Sequence, residues 1–249
     1  GGAGTDTLSI SYTGVSDLGD FTIAYDSSTG YFTLTDGSGG AISFKNIETL
    51  VVGDYTYIED TDNDTFWNAT EYVLYMYDGG STGPSDITDL SGFSASSNLT
   101  VQGSSSGDSM NLNINRDTTL TGNLTLTMGA GNDTFNSAKL QNGDSVDMGD
   151  GDDTVNIVAT GSNGTPTIAN LNLTKLDGGA GSDTLNFEES GPNTTELTLT
   201  TGGASNFENI IGTTGGETIK GDANANKLEG LGGNDTLEGD AGDDTLYGG

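Results

Sequence analysis

The chain has 249 residues, no cysteine and no histidine, and its 37 acidic residues against 6 basic ones give a formal net charge of −31. This composition excludes disulfides, thiolate or imidazole metal sites and histidine-based catalysis, and it disfavours nucleic acid and anionic membranes, which attract cationic surfaces. Hydrophobic residues make up 31% of the chain beside 41 glycines, which is little for a conventional core, although the length allows one or two domains.

The first nine residues, GGAGTDTLS, form a unit in which a glycine-rich turn ends in Asp6 and a short apolar strand follows. Glycine suits tight turns because it adopts positive φ without steric cost. Asp6 is a candidate oxygen ligand for a cation. The unit stands alone, so we expect its stacking partner before Gly1 or elsewhere in the chain.

Alternating apolar residues follow at Phe21–Tyr25 and Tyr31–Thr35, with the loop 26–30 between them. This pattern predicts a β-hairpin. Residues 41–52 (AISFKNIETLVV) predict one further strand region. The phrase Phe44-Lys45-Asn46-Ile47 resembles Phe207–Ile210, which directly precedes the C-terminal repeats.

Residues 55–77 are rich in tyrosine, phenylalanine and tryptophan. Aromatic runs favour strands that pack on the side or end of a repeat structure. The alternative is a contact surface for sugar or protein, since tyrosine and tryptophan anchor interfaces. The sequence does not separate the two.

Asp60, Asp62, Asp64 and Glu71 have the spacing of an EF-hand loop. Thr65 stands where that loop needs glycine, and the flanking residues resemble strands rather than helices. A second interpretation makes residues 63–66 the end of a degenerate nine-residue unit, identical to 132–135 (NDTF). We predict a calcium contact at the three aspartates, with a solvated acidic turn as the alternative.

Residues 79–97 are turn-rich and predict a seam or hinge. From Asn98 onward apolar residues alternate with polar ones, which predicts a parallel β-helix with irregular coils over 98–211. Three glycine-rich units interrupt this pattern: MGAGNDTFN (128–136), MGDGDDTVN (148–156) and GGAGSDTLN (178–186). Their candidate ligands are Asp133, Asp153 and Asp183. A possible degenerate unit at 103–111 has too little glycine to support the same prediction.

The first two of these units are twenty residues apart, so Asp133 and Asp153 are expected on one edge, where they could share a cation. Asp144 is expected on the opposite edge. Asp183 lies thirty residues after Asp153, which predicts an outward insertion at 161–166. The asparagine that ends each unit (Asn136, Asn156, Asn186) is expected to be solvated rather than stacked between coils.

Residues 212–247 form four consecutive nine-residue units, with isoleucine or leucine at the eighth position of each. A fixed period predicts stacked repeats. Two units make an eighteen-residue coil, and stacked coils lie about 4.8 Å apart. Glu217 then neighbours Asp235, and Asn226 neighbours Asp244. Two bare carboxylates at that distance repel by roughly 3–4 kcal/mol at an effective dielectric near 20, whereas a hard divalent cation such as Ca²⁺ between them reverses the sign.

These units resemble the calcium-binding nonapeptides of RTX (repeats-in-toxin) proteins. The resemblance implies an all-β fold, a parallel β-roll or β-helix with an N-terminal β-hairpin-rich lobe, and several bound Ca²⁺ ions. It implies carboxylate or amide ligands at Asp6, Asp133, Asp153, Asp183, Glu217, Asn226, Asp235 and Asp244. The glycines that form the turns and supply backbone oxygens would be Gly129, Gly131, Gly149, Gly151, Gly179, Gly181, Gly233 and Gly242.

The expected division is a β-rich lobe at 1–90, an irregular β-helix at 91–211 and a regular roll at 212–249. The chain begins and ends inside units, which leads us to expect a piece of a longer protein. The resemblance implies a secreted or cell-surface location, with a Gram-negative bacterium and type I secretion as the setting.

The expected function is a calcium-dependent structural module that folds and assembles on binding Ca²⁺, in a surface (S-layer) array. The alternative is the non-catalytic RTX portion of an adhesin, a toxin or a polysaccharide-degrading enzyme. The sequence has no histidine, which excludes both a Ser-His-Asp triad and an H-E-x-x-H metal site, and its single arginine, Arg116, has no basic neighbours, so no enzyme is expected. The expected partners are Ca²⁺, further copies of the chain or other cell-surface components, without nucleic acid or membrane insertion.

Overall fold

A computed structural model describes residues 1–26, 28–60, 65–68, 73–76, 85–86, 98–112, 122–137, 140–158, 175–188, 196–198 and 204–249. These residues form β-strands and turns, with one 3-10 turn at Leu18–Asp20 and no α-helix among them. None of their helices is long and apolar enough to cross a membrane.

The N-terminal part of the chain is built from short strands, most of them in antiparallel pairs. Tight turns such as Asp26–Gly30, where the amide of Gly30 donates to the carbonyl oxygen of Asp26, connect them. The strands are β1 (Thr7–Ile10), β2 (Phe21–Asp26), β3 (Tyr31–Asp36), β4 (Ala41–Phe44), β5 (Thr49–Val52), β6 (Tyr55–Asp60), β7 (Thr65–Asn68), β8 (Val73–Met76) and β9 (Ser85–Asp86).

The remaining strands wind into parallel coils. They are β10 (Leu99–Gln102), β11 (Ser109–Leu112), β12 (Leu124–Thr127), β13 (Thr134–Ser137), β14 (Ser145–Asp147), β15 (Thr154–Val158), β16 (Lys175–Asp177), β17 (Thr184–Glu188), β18 (Glu196–Thr198), β19 (Ala204–Ser205), β20 (Asn209–Ile211), β21 (Thr218–Lys220), β22 (Lys227–Glu229), β23 (Thr236–Glu238) and β24 (Thr245–Tyr247).

Two long sheets face each other across these coils. The first sheet has the order β1-β5-β6-β7-β8-β10-β12-β14-β16-β19, and from β8 onward its strands are parallel. The second sheet has the order β24-β22-β20-β17-β15-β13-β11-β9 and is parallel throughout. A short parallel sheet, β18-β21-β23, and an antiparallel one, β2-β3-β4, complete the described strands. The all-β fold with parallel stacked coils confirms the predicted class.

The core of the coils consists of two facing columns of apolar side chains. On the first sheet the register stacks Val101, Leu126, Val146, Leu176 and Ala204, which are all fully buried. On the second sheet it stacks Met110, Phe135, Val155, Leu185, Ile210 and Leu228, and all of these except Ile210 are the eighth residue of a nine-residue unit. Each such side chain contributes about 1.5–3 kcal/mol, so the columns supply the apolar stabilisation that the composition made scarce.

A separate apolar cluster lies under the N-terminal strands. It contains Phe21, Phe32, Tyr57, Phe66 and Tyr75, among other residues. Phe32 packs edge-on to Phe66 with ring centroids 5.2 Å apart. Tyr55, Tyr57, Phe66 and Tyr75 are therefore strand residues that contribute to this core, as the first interpretation of that region predicts.

The predicted hairpin is confirmed, because β2 pairs antiparallel with β3 from Phe21↔Asp36 to Asp26↔Tyr31. The strand region predicted over 41–52 contains two strands, β4 and β5. The chain turns between β4 and β5, where Asn46 has a φ of 54°, so that β4 joins β3 and β5 joins the first sheet. A helix-flanked EF-hand is also incompatible with β6 and β7, which pair antiparallel at Asp60↔Thr65.

Candidate metal centres

A column of acidic residues runs along one edge of the second sheet. Its members, hereafter the acidic column, are Asp108, Asp133, Asp153, Asp183 and Glu208, each placed one residue before a strand. A carboxylate oxygen of each later member accepts the backbone N–H of the member before it. The four hydrogen bonds measure 2.6, 2.7, 2.8 and 2.8 Å from the Asp108 amide to the Asp183 amide.

Strand register brings these residues together despite unequal spacing along the chain. Thr134, Thr154 and Thr184 are in register, and each of them directly follows an aspartate of the column. The predicted adjacency of Asp133 and Asp153 is therefore observed, and Asp183 stacks on Asp153. Asp144 precedes β14 of the first sheet and so lies on the other edge, as predicted; it is fully buried.

Glycines allow the turns that end in these aspartates to stack at close range. The isolated parallel bridges Ala130↔Asp150 and Asp150↔Ala180 hold three successive turns together. Gly151 has a φ of 145°, and a Cβ on it would overlap the carbonyl oxygen of Gly131. All eight glycines predicted to form turns have positive φ, namely Gly129, Gly131, Gly149, Gly151, Gly179, Gly181, Gly233 and Gly242.

Three carboxylate oxygens in the column are buried without a partner. They are the Oδ2 atoms of Asp133, Asp153 and Asp183, whose residues are at most 1% exposed. A buried charged oxygen without a hydrogen bond is costly, so such an atom in a folded protein needs an explanation.

The same burial alters how readily these groups ionise. Burial, with the charges of Asp108 and Asp153, raises the pKa of Asp133 to about 7. Burial and the charges of Asp153 and Glu208 raise the pKa of Asp183 to about 6, and the pKa of Asp153 is raised by burial as well. A nearby cation would reverse these shifts because it favours the charged carboxylate.

The C-terminal roll repeats the arrangement at the predicted eighteen-residue spacing. The amide of Glu217 donates to Asp235 Oδ1 (2.9 Å), and the amide of Asn226 donates to Asp244 Oδ1 (2.9 Å). Glu217 and Asn226 are buried, whereas Asp235 and Asp244 are half-buried. The two acceptors therefore lie beside the turns of the units that precede them by one coil.

Glu217 differs from the aspartates because both of its oxygens have partners in its own turn. The hydroxyl of Thr213 donates to one oxygen, and the amide of Thr213 donates to the other at 3.2 Å. Asn226 is similarly closed, since its Oδ1 accepts the amide of Asp222 at 2.9 Å. Glu217 and Asn226 remain predicted calcium ligands. A cation at either residue would compete with these hydrogen bonds for the side-chain oxygens.

Asp6 has a stacking partner within the described chain, in the segment that leads into β5. The amide of Asp6 donates to Glu48 Oε2 at 2.8 Å, and β1 pairs in parallel with β5. Of the EF-hand-like aspartates, Asp62 and Asp64 lie outside the described residues, and Asp60 ends β6 with its side chain outside them. The predicted insertion at 161–166 also lies outside.

The expectation that Asn136, Asn156 and Asn186 are solvated is wrong. Their side chains form a ladder in which each amide donates to the asparagine of the coil before it, beginning with Asn136 to Asn111 (2.6 Å). The next two bonds measure 2.7 and 3.0 Å. In-register stacking explains this, because identical amides at one position of successive coils satisfy each other.

Sequence reasoning missed Asp108, Glu208 and Glu48. Asp108 precedes β11 in the unit at 103–111, which has too little glycine to predict a site; the signal that identifies it is an acidic residue directly before a strand of alternating apolar residues. Glu48 and Glu208 each follow an asparagine and an apolar residue, in Asn46-Ile47-Glu48 and Asn206-Phe207-Glu208. The two segments therefore correspond with Glu48 aligned to Glu208. The Phe-x-Asn-Ile alignment given above, which places Phe44 on Phe207, differs from this one.

Across the described ranges, no three acidic side chains converge closely enough to hold a metal by themselves. Ca²⁺ accepts backbone carbonyl oxygens as readily as carboxylates. The turns bring such a carbonyl close to an aspartate at Gly178, where an added Cβ would meet both the carbonyl oxygen of Asn206 and the side chain of Asp183. The donor set therefore fits Ca²⁺ only if backbone oxygens complete it.

Comparison with known proteins gives one match. A family model described as the RTX calcium-binding nonapeptide repeat (four copies) matches residues 175–189 and 211–246. No curated protein and no solved structure matches the chain. The matched residues include the turn that ends in Asp183 and the units of the C-terminal roll. These residues carry RTX calcium-binding nonapeptide repeats, and the metal that such repeats bind is Ca²⁺.

Proposed function

We propose that this chain is a calcium-dependent structural module of a bacterial surface array, which folds and assembles when its acidic turns bind Ca²⁺. The observation that carries the proposal is the set of three buried Oδ2 atoms, on Asp133, Asp153 and Asp183, that have no partner. In a chain of net charge −31, such atoms destabilise the folded state when no cation is bound, and they act as ligands when one is.

Folding and metal binding are coupled in this proposal. The aspartates are far apart in sequence, and they become neighbours only when the coils stack. A site that does not exist in the unfolded chain transfers its binding free energy to folding. The chain would then stay open where calcium is scarce, inside the cell, and close outside, where calcium is abundant.

This coupling supports an extracellular location and export in an unfolded state, as in the type I secretion of Gram-negative bacteria. RTX repeats occur in secreted bacterial proteins, and this supports an extracellular location for the chain. We propose the specific secretion route because an acidic chain that cannot compact without calcium suits a channel that passes unfolded polypeptide.

Assembly is the second part of this proposal. We propose that the folded module assembles with further copies of the chain or with other cell-surface components.

The test is to follow secondary structure and mass while calcium is varied. Far-UV circular dichroism of the purified chain should change from coil in a chelator to β-structure when Ca²⁺ is added, and sedimentation should then show larger species. Magnesium at equal ionic strength is the control for screening alone. A β-rich spectrum that persists unchanged in the chelator would contradict the coupling. Monomers at every calcium concentration would contradict the assembly.

A further inference from the structure

We infer that Glu208 and Glu48 are calcium ligands that complete two equivalent sites, Glu208 with Asp183 and Glu48 with Asp6. The inference rests on the proposed function, because it assumes that the acidic turns bind Ca²⁺. Neither glutamate belongs to a nonapeptide unit, and the Asp6–Glu48 pair lies outside the residues that match the family model.

Equivalence of the two pairs is visible first in the backbone. The turn sequences GGAGTDTL (1–8) and GGAGSDTL (178–185) differ only at Thr5 and Ser182. Thr7 pairs with Thr49 in one copy, and Thr184 pairs with Asn209 in the other. In both, the residue after the glutamate donates its amide to the aspartate carbonyl oxygen, at 3.2 and 2.9 Å.

The turns that carry the glutamates are also alike. Asn46 and Asn206 have φ values of 54° and 55°, a left-handed conformation that asparagine tolerates better than most residues. This conformation brings each asparagine carbonyl oxygen against the first glycine of the facing turn, where a Cβ on Gly1 or Gly178 would overlap it. Each pair thus has two carboxylates and a carbonyl oxygen in one turn-to-turn contact.

The contacts of the glutamates leave them able to bind a cation. Glu208 Oε2 accepts the Asp183 amide and Glu48 Oε2 accepts the Asp6 amide, both at 2.8 Å, and neither Oε1 has a hydrogen bond to any residue that the structure describes. Asp183 itself is fully buried with Oδ2 unpartnered, and Glu208 is one of the charges that acts on it. A second carboxylate next to a buried unpartnered one is unfavourable unless a cation lies between them.

The two sites are expected to differ in strength. Asp6 is half-exposed, and its Oδ2 accepts the amide of Gly2 at 2.5 Å, whereas Oδ2 of Asp183 has no such competitor. Water and the Gly2 amide compete with a cation at Asp6. The Asp183–Glu208 site should therefore fill at lower calcium concentration.

The variants Glu208→Gln and Glu48→Gln separate a ligand from a structural acceptor. Glutamine keeps an oxygen that can accept the aspartate amide, but it removes the charge that Ca²⁺ needs. Glu238→Gln is the matched control, because Glu238 is exposed and paired with Lys220 instead. Calcium binding is measured by isothermal titration and by equilibrium dialysis on the full 249-residue chain.

We expect each of the two variants to bind one Ca²⁺ fewer, or to weaken one site at least about tenfold. The control should bind as the wild type does. Glu208→Asp and Glu48→Asp keep the charge and should retain the ion. Unchanged calcium binding in both glutamine variants, in a wild type that binds Ca²⁺, would overturn this inference and leave the proposed function intact. If the aspartate variants lose the ion as well, the glutamates have a structural role, and the inference is overturned. A wild type that binds no Ca²⁺ would overturn the proposed function itself.

Discussion

Replacing Asp133 with asparagine should stabilise the protein in a chelator. Burial and the neighbouring charges of Asp108 and Asp153 raise the pKa of Asp133 from 3.8 to about 7, so ionising it in the folded state costs free energy. At 1.36 kcal/mol per pH unit the cost above pH 7 is about 4 kcal/mol. Asparagine keeps the oxygen that accepts the Asp108 amide and removes the charge, so the calcium-free variant should gain up to about 4 kcal/mol at neutral pH.

The same substitution should destabilise the calcium-loaded protein. A ligand at about a hundred times its dissociation constant contributes about 2.7 kcal/mol to folding, and a site without its carboxylate loses most of that. The assay is urea unfolding followed by circular dichroism at neutral pH, in a chelator and in excess calcium. If the wild type has no cooperative transition in the chelator, recovery of one in the variant is the expected result.

Asp54→Asn is the control for this experiment, because Asp54 is exposed in the turn between β5 and β6. It should change stability by less than about 0.5 kcal/mol in either condition. An Asp133→Asn variant that is less stable than the wild type in the chelator would refute the reasoning. So would one whose calcium-loaded stability equals that of the wild type.

Without calcium, the free energy of unfolding should fall as pH rises from about 4 to about 7, because the folded state holds protons on Asp133 (pKa about 7) and Asp183 (pKa about 6) that the unfolded chain releases. With calcium, the free energy of unfolding should rise over that range, since calcium competes with those protons. Urea unfolding at several pH values measures both trends, and the same dependence on pH with and without calcium would contradict this prediction. Asn156→Ala should cost roughly 1–3 kcal/mol, because two ladder hydrogen bonds are lost, while the number of bound Ca²⁺ ions stays the same; equal midpoints in urea would argue against the ladder. Gly151→Ala should destabilise the calcium-loaded coils by about 3 kcal/mol or more, whereas Gly37→Ala, with open space around its Cβ, should be nearly neutral; thermal unfolding of the two variants distinguishes them.

The regular part of the fold follows directly from the sequence. A nine-residue period with an aliphatic residue at each eighth position requires two units per coil, and Glu217 and Asp235 are neighbours as that period demands. The twenty-residue spacing of Asp133 and Asp153 likewise predicts that these two residues are neighbours in successive coils, although the coils there are irregular. The stacking of the turns is predictable because each turn has the same glycine-rich sequence ending in an aspartate. The number of residues in each coil is not predictable in this way.

The partner of Asp6 could not be found in this way. Glu48 lies 42 residues further along, and the antiparallel strands β2, β3 and β4 occupy the chain between them. Nothing periodic links two residues across such an excursion. The clue was the similarity of Asn46–Leu50 to Asn206–Ile210, and it becomes readable only when the register of both segments on their aspartate turns is known.

The asparagine ladder was missed for a related reason. Whether a surface amide is solvated or stacked depends on the distance to the same residue in the next coil. That distance depends on register, not on the identity of the residue. Asn136, Asn156 and Asn186 sit at twenty- and thirty-residue spacings, which suggested no common row, yet the strands align them within 3.0 Å.

The most direct test of calcium binding in the acidic column is a crystal structure grown in calcium, with anomalous diffraction recorded to locate the ions. The account predicts anomalous peaks beside the Oδ2 atoms of Asp133, Asp153 and Asp183, at the Ca²⁺–oxygen distance of about 2.3–2.6 Å. Well-ordered turns at these three aspartates without such peaks, in crystals soaked with ample calcium, would contradict it.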